Sequence, residues 1–317
     1  MYLALWMLGA LASFCILAVG ARELSGELSI SQSLCIRSGV GLVVLSLVYL
    51  FKHNVMKKPV IQKSVVTKKK PNAIFGSSSN FANKRKLLAG FNLQLFRNIF
   101  HYAAQYGWFF GIGLLPLAEV FALEFTVPIW TLLIAALFLG EAITPTKIIA
   151  IFLGSLGVFI IVNPEQGGMS LASFVVLGSA ICFAISHTAT KSLSRDYSPI
   201  SILFYMCILQ LPIGLVLSYH HWVWPDYNQW LWLVIIGIGA LSAHFCMTNA
   251  MQYAEITTVV TLDFLRLPLI IFVGVLLYAE PFELSLLFGG CLMLFGNLLN
   301  TGKIKTIINN KFGQLFR

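Results

Sequence analysis

The chain has 317 residues, of which 58% are hydrophobic and only 10% are charged, and its mean hydropathy is +0.84. About a quarter of the residues of an ordinary soluble domain are charged, so this composition excludes a soluble globular enzyme. The net charge is +9, but ten of the 21 basic residues lie between Lys52 and Lys86 without interleaved aromatic residues. That pattern argues against a nucleic acid partner and favours a basic loop facing acidic lipid.

Apolar runs of about twenty residues, each long enough to cross a bilayer as a helix, recur along the chain. They predict an all-α polytopic membrane protein with ten transmembrane helices. The predicted spans are 3–20, 31–51, 88–113, 117–139, 145–163, 169–190, 199–219, 229–250, 257–278 and 284–302. The segment 52–87 lacks hydrophobic periodicity and predicts a flexible cytosolic loop, more simply a solvated tether than a regulatory segment. Residues 303–317 predict a cationic cytosolic tail.

Lysine and arginine are distributed unequally between the two sides of this arrangement. With a cytosolic N-terminus, 17 of the 21 basic residues fall in inner segments, and only Arg22 falls in an outer loop. The remaining three, Arg37, Arg97 and Arg266, lie inside spans. Because positive residues favour the cytosolic side, both termini are predicted to be cytosolic, in a bacterial inner membrane.

An internal repeat relates the third to fifth spans to the eighth to tenth spans at a shift of 139 residues. It pairs Glu124 with Asp263 inside the common pattern Leu-acid-Phe, and Glu141 with Glu280. The first two spans align with the sixth and seventh at a different shift, 169 residues, because only the first half carries the long basic loop.

The two halves of the repeat each hold five predicted spans. Since five is odd, the second half enters the membrane from the opposite side. The sequence therefore predicts two inverted five-helix repeats, 1–163 and 169–302, related by a pseudo-two-fold axis in the bilayer plane. Such repeats are typical of transporters.

Two related motifs also resemble a known family. They are Pro128 … Leu139-Gly140-Glu141 … Gly154-Ser155-Leu156-Gly157 and its partial copy Leu262-Asp263-Phe264-Leu265-Arg266-Leu267-Pro268 … Ala279-Glu280 … Gly296. They are similar to those of EamA-type drug/metabolite transporters, over nearly the whole chain apart from the basic loop and the tail. The resemblance implies a central cavity between the halves and secondary transport of small metabolites such as amino acids and their derivatives. The sequence departs from the family at Ala279, where the family often has Gly.

Ionisable side chains at mid-membrane depth are expensive and are functional candidates by default. Glu124 and Asp263 lie deep in equivalent spans, and a carboxylate there is suited to exchange protons with substrate or solvent. Proton coupling is one hypothesis for these acids, and a structural ion pair with an arginine is the alternative. Pro128 and Pro268 predict a kink and a hinge beside the carboxylates.

Arg97, His101 and Gln105 recur every four residues on the third span and predict one polar stripe facing a cavity. Arg97 is suited to bind a substrate carboxylate and His101 to join a proton relay. The alternative is structural, with Arg97 neutralising Glu124 and His101 simply hydrogen-bonded.

Further candidates lie on other spans. His244 and Thr248 predict a second lining stripe, and Trp108 and Phe264 are aromatic rings able to stack on a planar substrate.

Four more polar residues have structural interpretations. Arg266 lies three residues after Asp263 and is positioned to pair with it. Arg37, six residues into the second span, is expected to reach outward to the interface. Glu141 and Glu280 are expected to cap the helices that follow them.

The sequence thus predicts a secondary active transporter of a small polar or zwitterionic organic metabolite, an amino acid or an amino-acid or nucleoside derivative. Alternating access around a central cavity is expected. The alternatives are a polytopic membrane enzyme or a non-transporting scaffold. The enzyme is disfavoured because no HExxH, GxSxG or nucleotide-binding loop occurs, and no cofactor or metal is expected. All six cysteines lie in apolar blocks without a CxxC pair, so no disulfide framework is expected.

Overall fold

The computed structural model describes residues 2–55, 78–162, 170–280 and 284–300. The described chain is all-helical, with 88% helix and no strand. Its α-helices are α1 (Tyr2–Glu23), α2 (Ile30–Val55), α3 (Ser78–Leu114), α4 (Leu117–Glu124), α5 (Val127–Leu139), α6 (Pro145–Val162), α7 (Leu171–Leu193), α8 (Pro199–Ser218), α9 (Tyr227–Tyr253), α10 (Ile256–Leu262), α11 (Arg266–Tyr278) and α12 (Leu284–Asn300). Residues 56–77 of the predicted loop and the whole predicted tail 303–317 lie outside the described residues. The prediction of a loop over 52–87 is wrong at both ends, because 52–55 continue α2 and 78–87 begin α3.

Seven helical segments of the described ranges are long and apolar enough to cross a membrane. They are Tyr2–Glu23, Ile30–Leu50, Leu117–Leu139, Leu171–Leu193, Pro199–His221, Tyr227–Tyr253 and Ile256–Tyr278. The predicted spans 88–113, 145–163 and 284–302 fall on α3, α6 and α12, which are not among the seven. The count of ten transmembrane helices therefore stays a prediction.

The fourth and ninth predicted spans are each interrupted in the middle. Helix α4 ends at Glu124, and α10 ends just before Asp263, which begins a short 3-10 turn. Pro128 and Pro268 follow in the first turns of α5 and α11. A proline is tolerated there because the first N–H groups of a helix have no intrahelical partner. Both carboxylates thus lie at helix breaks, and the hinge role of the prolines stays a prediction.

The main helix contacts join the first part of the chain to the second. Helix α1 packs against α9, α3 against α7, α2 against α8, and α6 against α12. Some of these contacts depend on glycine: a Cβ built on Gly111 of α3 would overlap a methyl group of Val176 on α7. Small residues permit this close approach of two helices.

Two glutamates cap helices of the opposite half of the chain. Glu141 Oε1 accepts a hydrogen bond of 2.8 Å from the backbone N–H of Ile256, and Glu280 Oε1 accepts one of 3.0 Å from Leu117 N–H. The prediction that both carboxylates are helix caps is correct, but the expected partner, the following helix, is wrong. Because each segment ends where the other begins, 117–141 and 256–280 run antiparallel.

The residue before each capping glutamate adopts a left-handed backbone conformation. Gly140 has φ of 69° and Ala279 has φ of 49°. This region costs an L-residue roughly 1–2 kcal/mol, whereas Gly adopts it freely. Ala279 is solvent- or lipid-exposed, so its methyl group contributes little packing in return.

We expect Ala279→Gly to stabilise the protein by about 1 kcal/mol. The substitution removes the cost of the left-handed conformation, and the greater entropy of Gly in the unfolded chain offsets part of that gain. Gly140→Ala, the matched variant at the equivalent turn, should destabilise it by a similar amount. Thermal unfolding in detergent measures both. A lower melting temperature for Ala279→Gly together with an unchanged Gly140→Ala would contradict the strain argument.

Candidate functional site

An ion triad lies at the two helix breaks. Arg266 Nη2 is 2.7 Å from Asp263 Oδ2 and 2.9 Å from Glu124 Oε1, and the side chain of Arg266 is only 1% exposed. Trp108 Nε1 donates to the other carboxylate oxygen of Glu124 at 2.8 Å. The predicted contact between Arg266 and Asp263 is present. The alternative in which Arg97 neutralises Glu124 is wrong, because Arg266 of the other half occupies that position.

Aromatic rings surround the guanidinium of the triad. Its carbon lies 4.5 Å from the ring centre of Phe14, 4.8 Å from that of Phe121 and 5.8 Å from that of Phe125. Cation–π attraction is strongest where the cation is desolvated. With both carboxylates ionised, the triad carries one negative charge in excess, so one of the two acids has no cation of its own.

A second polar network joins α2, α3, α8 and α9. Arg37 Nη2 donates to the amide oxygens of Gln105 and Gln210, at 2.9 Å for the latter. Gln210 Nε2 lies 2.9 Å from His101 Nδ1, and Gln105 Nε2 lies 3.4 Å from His101 Nε2 and 3.5 Å from His244 Nε2. Arg37 is 3% exposed. The expectation that it reaches the interface is therefore wrong: helix α2 turns this side chain inward.

Arg97 makes its hydrogen bonds to protein groups beside this network. Its Nε donates to Thr190 Oγ1 at 2.8 Å and its Nη1 to Asn98 Oδ1 at 2.9 Å, while Nη2 lies 3.9 Å from the sulfur of Met206. It is buried but does not line the cavity described next.

The triad and the amide–histidine network meet in one small cavity of about 20 Å³. It is lined by Phe14, Leu17, Arg37, Gln105, Trp108, Phe109, Glu124, Phe183, His187, His244, Met247, Asp263 and Arg266. Six of the predicted site residues are thus brought together: Gln105, Trp108, Glu124, His244, Asp263 and Arg266.

Three of the other four predicted site residues are not part of the described lining. His101 lies behind the lining, against Gln105 and His244. Arg97 and Thr248 are buried away from the cavity. The side chain of Phe264 lies outside the described residues.

Three lining polar atoms are buried without a hydrogen-bond partner: Asp263 Oδ1, Arg266 Nε and Arg37 Nη1. Buried polar groups are nearly always paired, so each such atom requires an explanation. All three belong to side chains that line the same cavity. No group of three or more His, Cys, Asp or Glu residues in the described ranges is arranged to hold a metal ion.

Sequence reasoning missed some lining and network residues. Arg37 was misassigned, and His187 and Gln210 were not singled out. A single amide such as Gln210 inside an otherwise apolar span carries the same signal as a charge, because its desolvation is costly unless it is paired. His187 directly follows Ser186, within a row of small polar residues of the type that packs between helices. The sequence pattern therefore did not single it out.

Away from the cavity, a cluster that we call the Arg22 cluster links both halves of the chain. Arg22 Nη1 donates to the carbonyl oxygens of Ile112 and Leu115, at 2.9 Å for the latter. Its Nη2 lies 3.9 Å from Glu280, the glutamate that caps Leu117. These five residues lie together at the N-terminal end of the segment 117–141.

The Lys191 cluster lies at the other end of that segment. Lys191 Nζ donates to the carbonyl oxygens of Met251 and Ala254, at 2.6 Å for the latter. Glu141 caps Ile256 beside them. The backbone partners are the repeat equivalents of those in the Arg22 cluster, at the shift of 139 residues.

The described contacts around the two clusters differ. Beside Lys191, Lys147 Nζ is 2.7 Å from Glu255 and 3.6 Å from Glu141, and Thr257 Oγ1 donates to Glu141 at 2.7 Å. Beside Arg22, the Tyr278 ring lies 5.7 Å from the guanidinium carbon, and the Tyr278 hydroxyl donates to Glu23 at 2.9 Å. The two ends therefore share a plan but differ in the side chains around it.

The EamA-like transporter family model matches the chain twice, over residues 1–163 and 170–302. The chain belongs to the EamA-like transporter family. Together with its apolar helices, this membership makes it an integral membrane protein of a transporter family.

Relatives of this chain are named as transporters of different molecules. The chain is 29% identical over 214 residues to a riboflavin transporter of Brucella anthropi, covering 66% of this chain and 75% of the relative. It is 21% identical to an S-adenosylmethionine uptake transporter of Rickettsia conorii, covering 69% and 74%. It is 26% identical to a pseudopaline exporter of Pseudomonas aeruginosa, covering 59% and 66%.

The fold is also that of a solved protein. A crystal structure superposes on the chain with a TM-score of 0.70 at 15% identity, over 96% of this chain and 98% of the other. This similarity establishes the fold alone.

The charge balance of the triad predicts how substitutions in it change the stability of the protein. Arg266→Met leaves two buried carboxylates without their cation, which should cost about 3–5 kcal/mol. Adding Glu124→Gln and Asp263→Asn removes those charges, and the triple variant should recover part of the lost melting temperature in detergent. Arg195→Gln, on an exposed loop residue, serves as the control and should change stability little. A triple variant less stable than Arg266→Met would refute the charge-balance argument.

Proposed function

We propose that the protein is a secondary active transporter of a small polar or zwitterionic organic metabolite, an amino acid or an amino-acid or nucleoside derivative. The observation that carries this proposal is one cavity among apolar helices, lined by the ion triad and by the amide–histidine network. Membership of a family of transporters supports it. The cavity has a negative pole at the triad and a positive pole at Arg37, which complements a molecule with both charges.

We propose that the fold consists of ten transmembrane helices in two inverted five-helix repeats, 1–163 and 169–302. The two family matches fall on these two halves. The antiparallel course of 117–141 and 256–280, with each segment capped by the glutamate of the other, supports inversion. The equivalent packing of α1 on α9 and α3 on α7 supports a pseudo-two-fold axis.

The Arg22 and Lys191 clusters are the gates in this proposal. Each bonds residues of both halves at one end of the segments 117–141 and 256–280, so separating the halves at that end requires breaking one cluster while the other holds. Alternating access needs two related gates around one site. The helix breaks beside Pro128 and Pro268 serve as hinges, since they interrupt the segments that join the two gates.

The competing classes lack a supporting observation. A polytopic enzyme requires a nucleophile or metal centre, and the family and its named relatives are transporters. A scaffold has no need for unpartnered polar atoms around a buried cavity, because each lowers stability without a ligand.

We propose that both termini face the cytosol of a bacterial inner membrane, which places the Lys191 cluster at the cytosolic end. The support is the 17-to-1 distribution of basic residues. The cytosolic end then holds Lys147 and Lys191, and the outer end holds Arg22.

Cysteine labelling tests this orientation. In a variant without native cysteines, Asn228→Cys should react with a membrane-impermeant maleimide on intact cells, whereas Asp196→Cys should react only after permeabilisation. Both residues are exposed loop or helix-end positions. Labelling of Asp196→Cys alone on intact cells would reverse the assignment of the two gates.

We further propose that proton binding at Glu124 or Asp263 couples transport to the proton gradient. The triad holds two carboxylates against one arginine, so one carboxylate is free to bind a proton without leaving Arg266 unpaired. Asp263 Oδ1 has no partner in the protein and is the oxygen best placed for it.

Transport in proteoliposomes tests both the function and the coupling. The wild-type protein should exchange a small metabolite in counterflow and accumulate it under an imposed pH gradient. Glu124→Gln or Asp263→Asn should lose gradient-driven accumulation and retain some counterflow, since exchange needs the site and the gates but no net proton movement.

The matched control for this experiment is Glu119→Gln. Glu119 lies on α4, as Glu124 does, but contacts Ser173 and does not line the cavity, so its variant should transport normally. Accumulation unchanged in both triad variants would exclude proton coupling by these acids. Absence of counterflow for a broad set of metabolites would contradict the transporter proposal itself.

A further inference from the structure

The buried guanidinium of Arg37 has no anionic partner in the part of the chain that the structure describes. Every ion pair found there involves Arg22, Lys147 or Arg266. Arg37 is held only by the neutral amide oxygens of Gln105 and Gln210, and its Nη1 donates to nothing. A guanidinium taken out of water is costly unless it is paired and fully hydrogen-bonded.

Arg266 provides the comparison within the same cavity. It is equally buried, but it contacts two carboxylates and three aromatic rings. Its positive charge is thus more than balanced by protein groups, and it has no need of a ligand anion. The unbalanced positive charge of the cavity lining is that of Arg37.

The amide–histidine network orients this guanidinium. Gln105 and Gln210 both accept from Nη2, which leaves Nη1 unpaired. Gln210 is fixed in turn by contacts with His101 and with Asn98 Oδ1 at 3.2 Å. Such an ordered donor, held by side chains of several helices, is the usual arrangement for recognising a carboxylate or phosphate.

We infer that the transported molecule carries an anionic group, a carboxylate or a phosphate, and that Arg37 binds it through Nη1. The inference rests on the proposed transport function and specifies the substrate class of the same cavity. The anion supplies the negative charge and the hydrogen-bond acceptor that the described part of the protein does not provide to Arg37. Arg97, whose donors are used by Thr190 and Asn98, does not take this role.

The test uses pairs of probes that differ only in the anionic group. FMN and riboflavin differ by a phosphate, whereas S-adenosylmethionine and its decarboxylated form, and tryptophan and tryptophanamide, differ in a carboxylate. Binding to the purified protein is measured by the rise in melting temperature across a concentration series, since a ligand of the folded state stabilises it by mass action. The same compounds compete in counterflow.

At least one probe that carries the carboxylate or phosphate should bind the wild-type protein more tightly than its counterpart without that group. Arg37→Gln should lower the apparent affinity for that probe about 10- to 100-fold, as expected for a charge-assisted hydrogen bond, and leave the affinity for the counterpart unchanged. The phosphate and carboxylate pairs distinguish the two kinds of anion. Arg195→Gln, at an exposed arginine, should preserve the preference and excludes binding to surface charge.

Arg37→Lys replaces Arg37→Gln if the latter fails to fold. Lys keeps the charge but lacks the planar fork, so it should also weaken the anionic probe selectively. The inference is overturned if the counterparts without the anionic group bind as well as the probes that carry it, if no probe with that group binds, or if the preference survives both variants. Counterflow of neutral metabolites in any of these cases would leave the transporter proposal intact, whereas no counterflow of any compound would remove the proposal as well.

Discussion

The structure depends on one buried cation shared between the two halves of the chain. Arg266 of the second half contacts Glu124 of the first half and Asp263 of its own, inside a ring of phenylalanines. In an apolar interior, an unpaired arginine or carboxylate destabilises the fold by several kcal/mol. The halves therefore pack so that these three groups meet, and the cavity forms where they meet.

The helix breaks make this contact geometrically accessible. An unbroken span would keep every backbone group in its own helix, but the interruptions after α4 and α10 turn the carboxylates toward the shared space. The capping glutamates satisfy unpaired backbone N–H groups at the outer ends of the same segments. Each provides an acceptor to the first N–H of the other segment, so the N-termini of α4 and α10 are satisfied only when the two halves are assembled.

The two halves of the chain resemble each other, but the cavity that they share is not symmetric. The repeat equivalents Gln105 and His244 both line the cavity, but Arg37 corresponds to Met206 and Arg266 has no arginine counterpart in the first half. One pole of the cavity is consequently acidic and the other basic. The residues that differ between the two halves thus give the cavity its acidic and basic poles.

The sequence by itself determined the membrane class, the helical fold, the family resemblance and most of the acidic pole, because hydropathy, basic-residue asymmetry and the repeat are properties of the linear chain. It also predicted the pairing of Arg266 with Asp263, which lie within one turn of each other. Only the tertiary structure decided that Glu124 joins Arg266 instead of Arg97, that Arg37 points into the protein, and that each glutamate caps the opposite half. Those outcomes depend on how helices are rotated and crossed, and residue spacing along one chain contains no information on the partner that a distant segment brings.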